Sequence, residues 1–280
     1  MTGHKMAKAS IGWPFASACI VAGFAALVVL SASTVGASES SAQSVPVDYL
    51  PEFVLVPSGE MTVADTGRQA GRQEQAEPRR VVFEQPFLIG KFEITFEQWD
   101  HCQRTGGCTH HPNDKGWGRG NRPVIDVSWD DVVQYLDWLS AETGQRYRLP
   151  TEDEWEYAAR AGAEQPAEPP PLFADEALAW AAGYSLSPRR TKKTKPVGSD
   201  DDNSFGLFGT RDNVWEWTDS CWQQTYKTED GPVFRENCGV RILQGEHRSY
   251  MPSFVRTTST GGCSIAPLPG NFGFRVVRES

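Results

Sequence analysis

Past Leu30 the sequence has no apolar run long enough to cross a bilayer, and it has no surplus of positive charge: 27 Lys and Arg stand against 36 Asp and Glu, a formal net charge of −9. The first absence excludes a helical membrane domain beyond the N-terminal segment. The second argues against nucleic acid as a partner, because phosphate recognition needs a basic face. The one basic cluster, Arg189, Arg190, Lys192, Lys193 and Lys195, is followed at once by Asp200-Asp201-Asp202. It reads as a solvated surface, with a docking loop for an acidic partner as the alternative. There is no Gly-rich phosphate loop, no Ser-His-Asp signature, no pair of histidines at helical spacing and no internal repeat. His110 and His111 are adjacent and close to Asp114 but lack a third ligand, so no metal site is expected there.

What is present begins with an N-terminus of a few basic residues (His4, Lys5, Lys8) and an apolar run from Ile20 to Leu30, the order of a secretory signal peptide. Small residues through Ala37 place the cleavage site there, and an uncleaved signal anchor is the alternative reading. Cys19 precedes most of the apolar run and does not make a lipoprotein. Cleavage removes Lys5 and Lys8 and no acid, which takes the charge from −9 to −11 and leaves about 240 residues, enough for one sizeable core. The expected location is periplasmic or secreted. Of the six cysteines, Cys102, Cys108, Cys221, Cys238 and Cys263 then remain, and an oxidising compartment favours disulfides. Cys102 and Cys108 flank Thr105-Gly106-Gly107 and pair across a turn. Cys221 and Cys238 flank a polar loop ending in Asp230-Gly231-Pro232, and Cys263 is left over.

Residues 38–50 are a Ser-rich lead-in, and the folded domain starts near Pro51. Phe53–Gly59 reads as a strand and turn, Gly67–Pro78 as a loop, and Arg80–Phe83 and Phe87–Ile94 as strands. Three capping boxes announce helices: Thr95 with Gln98, Ser128 with Asp131, and Thr151 with Glu154. The second helix runs from Trp129 to Glu142 with Val132, Leu136 and Leu139 inward and Gly144 as its stop. The third runs from Glu152 to Ala161, with Trp155, Ala158 and Ala159 inward and Gly162 as its end. Trp99, Trp129, Trp138 and Trp155 lie on helices and are expected in the core. Beyond Gly162 the chain reads as irregular backbone with short strands, held by disulfides or calcium.

The run from Arg148 to Gly162, Arg-Leu-Pro-Thr-Glu-Asp-Glu-Trp-Glu-Tyr-Ala-Ala-Arg-Ala-Gly, resembles the signature of the formylglycine-generating enzyme and sulfatase-modifying-factor family. Pro123–Trp129, Phe205–Phe208, Asn213–Thr218 and the ending Gly273-Phe274-Arg275 follow the same family order. The resemblance implies a compact α+β domain with much irregular structure, related to C-type lectins and steadied by calcium. It also implies a choice among cysteine-oxidising enzymes, ergothioneine sulfoxide synthases, pyoverdine-maturation proteins and noncatalytic lectin-like domains, which fold alone does not make. The family's calcium site maps onto Gly209–Glu216. There the resemblance implies an Asp or Asn, two backbone carbonyls and a Glu, with Asp212, Asn213, Val214 and Glu216 as the candidate residues; Gly209 lacks the side-chain oxygen of the first ligand position unless Asp212 substitutes, and Glu216 hydrogen-bonding the loop directly is the alternative.

The family's active-site segment maps onto Arg241–Arg256, and residues 239–262 contain no cysteine, whereas the formylglycine-generating enzymes hold copper there with two. Met251 and one imidazole make a weak copper site, so conversion of cysteine to formylglycine is not expected. The segment instead offers Glu246, His247, Arg248 and Tyr250. Glu246 or His247 would act as general base, Tyr250 as donor to an oxyanion and Arg248 as a clamp on an acid, with Arg256 and Cys263 as substrate-binding residues. The alternative is a surface pair of Glu246 with Arg248 and packing of His247 on Tyr250. Two functions follow: an exported tailoring enzyme acting on a peptide or siderophore precursor, with an unidentified catalytic metal, or a noncatalytic binding or envelope-assembly module.

Overall fold

Three helices begin where the capping boxes put them. In the computed structural model, which describes residues 45–65, 76–161, 192–228, 231–246, 248–257 and 271–279, these are α1 (Phe96–Arg104), α2 (Trp129–Thr143) and α3 (Glu152–Arg160). In each, the N-cap hydroxyl accepts the N3 amide and the N3 side chain returns to the N-cap amide. Such a cap contributes about 1 kcal/mol. Gly144 closes α2 in the left-handed conformation as expected. At α3 the left-handed cap is Ala161, one residue before the expected glycine; Gly162 lies outside the described residues. Val132, Leu136 and Leu139 of α2 are buried, and α3 buries Trp155, Tyr157 and Ala158, with Ala159 only half-covered.

The strands form three sheets. The first has the order β1 (Phe53–Val56), β4 (Phe87–Gly90), β10 (Val277–Arg278), β5 (Tyr147–Arg148), all antiparallel. The second pairs β2 (Gly59–Asp65) with β3 (Ala76–Phe83). The third has the order β8 (Ser249–Pro252), β7 (Gly231–Gln244), β6 (Trp215–Thr228), β9 (Phe272–Gly273), with β6 and β9 parallel.

Three expectations change. The strand expected over Phe87–Ile94 ends at Gly90, because the guanidinium of Arg275 takes the carbonyls of Gly90 and Lys91 (3.1 and 3.4 Å) and turns the chain out of the sheet. The loop expected to reach Pro78 gives way to β3 at Ala76, which pairs with Asp65. The second half of the chain is not limited to short strands: β6 and β7 are 14 residues each and pair from Glu216–Gln244 to Thr228–Gly231. Cys221 and Cys238 are therefore joined across two strands rather than around a loop, while Cys102 and Cys108 are joined just past α1, both pairs as the sequence suggests.

The main core lies between α1, α2 and the inner face of β6–β8. Trp99 stacks on Tyr135 with centroids 5.8 Å apart, and Phe274 meets both edge-on. Trp217 and Met251 are fully buried in the same cluster. Burying side chains of this size stabilises by roughly 1.5–3 kcal/mol each. A second cluster, with Val56, Ile89, Tyr157 and Leu207, packs α3 against the first sheet. Among the described residues no helix is long and apolar enough to cross a membrane.

Candidate functional site

The N-terminus of α3 and the start of the β6–β7 hairpin frame a cleft of about 410 Å³ lined by Arg79, Glu152, Asp153, Asp219, Cys221 and Glu236, among others. Its shape follows from local bonds. Thr151 caps α3, the amide of Glu152 donates to Ser220 Oγ at 2.9 Å, and the amide of Asp219 donates to the Pro150 carbonyl at 2.9 Å, so helix and strand are tied side by side. Most cleft acids are paired: Asp153 with Arg79 (2.9 and 2.6 Å), Glu152 with Arg248 (2.9 Å) and Asp219 with Arg241 (3.3 Å). Glu236 accepts from the Gln223 amide at 2.8 Å and has no cationic partner among the described residues. Burial pushes the Asp219 carboxyl above its ordinary value, and the nearby guanidinium of Arg241 only partly opposes this. Arg241 lies 3.8 Å over the ring of Trp129 and donates through Nη1 to the Asp219 carbonyl and to Sγ of Cys221 (2.9 and 3.4 Å). Its buried Nε has no hydrogen-bond partner.

The expected catalytic residues are distributed as follows. Glu246 is exposed at the turn between β7 and β8, and His247 lies outside the described residues. Arg248 reaches the cleft through Glu152, not through Glu246. Tyr250 is half-buried, its ring 6.2 Å from that of Trp222. Arg256 grips Asp131, the capping acid of α2, with two bonds of 2.7 and 2.8 Å. Cys263 lies outside the described residues. Met251 is sealed in the core, and the described residues 239–257 hold no thiolate, so they do not fit a copper centre.

The proposed calcium donors do not converge. Both oxygens of Glu216 accept from Arg275 (2.6 and 2.7 Å), and one also accepts from Trp155 Nε1 (2.7 Å). Asp212 is half-buried and paired with Lys195 at 3.2 Å. Asn213 directs its amide nitrogen to Glu93 (3.0 Å) and its oxygen to the Lys195 amide (2.7 Å). Gly209 supplies no side-chain oxygen, and a Cβ there would stand 2.5 Å from Glu93 Oε1. A hard cation needs six to eight oxygens around it. At Glu216 this segment presents a carboxylate already held by a guanidinium, and Val214 offers only its backbone carbonyl, its side chain lying in the core. His110, His111 and Asp114 are likewise engaged separately, with the Asp126 carbonyl, Gln103, and the amides of Gly116 and Gly118.

Sequence reasoning passed over Glu152, Asp153, Asp219 and Arg241. In the sequence Glu152 and Asp153 read only as residues of the third helix, Arg241 only as the start of the active-site segment, and Asp219 carries no signal. The stacking of Arg241 on Trp129 joins positions far apart in the chain and leaves no local pattern.

A formylglycine-generating enzyme of Streptomyces coelicolor is 32% identical over 193 residues, covering 58% of this chain and 54% of that one, so the match spans about half the length of the relative. One from Thermomonospora curvata is 24% identical over 311 residues, covering 84% and 95%. The structure of PvdO from Pseudomonas aeruginosa superposes with a TM-score of 0.57 at 26% identity, covering 83% of this chain and 95% of that one. Residues 38–280 match the sulfatase-modifying factor enzyme 1-like domain. The chain belongs to the sulfatase-modifying factor enzyme 1-like family.

Proposed function

We propose that the protein is an exported tailoring enzyme that modifies a peptide or siderophore-like precursor, without converting cysteine to formylglycine. The observation that carries the reading is the Arg248–Glu152 pair, which links the segment where the family's enzymes hold their copper to a cleft large enough for a side chain or a chelating group. Arg248 would clamp an acidic group of the precursor, and Tyr250 on the adjacent strand would donate to an oxyanion. Similarity to formylglycine-generating enzymes and to PvdO supports a tailoring role.

The test is mass spectrometry of the producing cells' peptides and siderophores, with wild type, Arg248→Ala and Glu246→Ala supplied in place of the native gene. The expected result is an unmodified precursor accumulating with Arg248→Ala. A product profile identical to wild type in both variants overturns the site. N-terminal sequencing of the exported protein is expected to start at Ser38.

A second reading, a noncatalytic binding module, is favoured by the exposed position of Glu246 on a hairpin turn outside the cleft lining. It is distinguished by saturable precursor binding without any mass change.

A further inference from the structure

The two disulfides sit in opposite surroundings. Cys102 is fully buried and Cys108 is 5% exposed, within the main core. Cys221 is only half-buried and Cys238 is exposed, and Cys221 lines the cleft. Both sulfurs and a carboxylate oxygen of Glu236 lie within 4.8 Å of one another. Arg241 Nη1 donates to Cys221 Sγ, and the same guanidinium has a buried, unpartnered Nε. A partly buried guanidinium stabilises a thiolate at the sulfur it touches, although Asp219, which shares the same Nη1 at 3.3 Å, offsets part of its charge. The carboxylate of Glu236, within 4.8 Å of both sulfurs, disfavours negative charge on either, and only Cys221 has a guanidinium in contact to offset it. The bond is therefore polarised: Cys238 is the accessible sulfur and Cys221 the better leaving group.

We propose that Cys221–Cys238 is a thiol–disulfide exchange site for a dithiol-bearing partner that carries positive charge near its attacking thiol. The partner's first thiolate attacks Cys238 Sγ. The Cys221–Cys238 bond breaks, and its electron pair goes to Cys221 Sγ, beside Arg241. The partner's second thiolate then attacks its own sulfur in the mixed disulfide, releasing Cys238. Two electrons pass from the partner, which leaves as a disulfide, and the two protons of its thiols end on Cys221 and Cys238. An external disulfide restores the pair by the reverse exchange. Glu236, the cleft carboxylate without an ion pair among the described residues, supplies the preference for positive charge. This site shares its cleft with the tailoring reading but is tested by thiol chemistry alone, so the two stand or fall separately.

The oxidised full-length chain is titrated with dithiothreitol, alkylated and mapped by peptide mass spectrometry. Cys221 and Cys238 are expected to become reactive at about tenfold lower reductant than Cys102 and Cys108, with the fold intact by circular dichroism. With cysteamine and 3-mercaptopropionate as single-thiol probes, the adduct is expected on Cys238. Cysteamine should react several-fold faster at low ionic strength, and Glu236→Gln should abolish that preference. In the reduced protein, the pH dependence of Cys221 alkylation is expected to move up by about one unit in Arg241→Gln and to stay low in Arg241→Lys, which keeps a cation over Trp129. Simultaneous reduction of both disulfides, an adduct on Cys221, or equal rates for the two probes overturns the proposal.

Discussion

Glu93 is 2% exposed and faces Arg275, Glu216 and Asn213, with its Oε2 lacking any hydrogen-bond partner. Burial pushes its carboxyl from 4.5 up to about 7, aided by Glu216 and opposed by Arg275. Because the folded value lies above the unfolded one, the folded state holds the extra proton. Its stabilisation is full below about pH 4.5 and is lost as pH rises to about 7. The unfolding free energy from denaturant titration is expected to fall between pH 5 and pH 8, by on the order of a few kcal/mol, and Glu93→Gln should flatten that part of the profile. Because the donors around Gly209–Glu216 do not converge, 1 mM EDTA or calcium is expected to shift the melting temperature by less than about 1 °C. A calcium-dependent rise of several degrees would reinstate the site. At this scale the sequence was least legible. That Glu216 is a hydrogen-bonding partner rather than a presented ligand depends on Arg275, 59 positions away.

At the scale of elements, Asp131 joins the cap of α2 to Arg256. Burial pushes its carboxyl up, but hydrogen bonds from Arg256 and Ser128 outweigh burial and hold it below its ordinary value. Asp131→Ala is expected to cost roughly 2–4 kcal/mol in urea denaturation. Arg256→Ala, whose guanidinium is partly exposed, should cost about 1 kcal/mol or less. A larger effect of Arg256→Ala on precursor affinity than on stability would mark it as a substrate-binding residue as well. The helices were legible because a capping box is written within four residues. The long hairpin was not, because residues 233–239 are exposed on both faces of a two-stranded ribbon. Strand residues with no buried face have no reason to alternate, and only Asp230-Gly231 announced a turn.

For the molecule as a whole, the family motifs made the fold legible, whereas the cleft, assembled from Arg79, α3, β6 and β7, was not. Arg275 is fully buried, and all five of its N–H donors are engaged, by the carbonyls of Gly90, Lys91 and Phe208 and by both oxygens of Glu216. Two residues later, β10 enters the interior of the first sheet, between β4 and β5. A chain ending before Phe272 is expected to give no cooperative melting transition. A nascent chain therefore has no stable first half on which to rest: the sheet that starts at Phe53 stays open until Arg278 has been made. Folding is expected to be late and dominated by contacts distant in sequence, which leaves apolar segments exposed during synthesis.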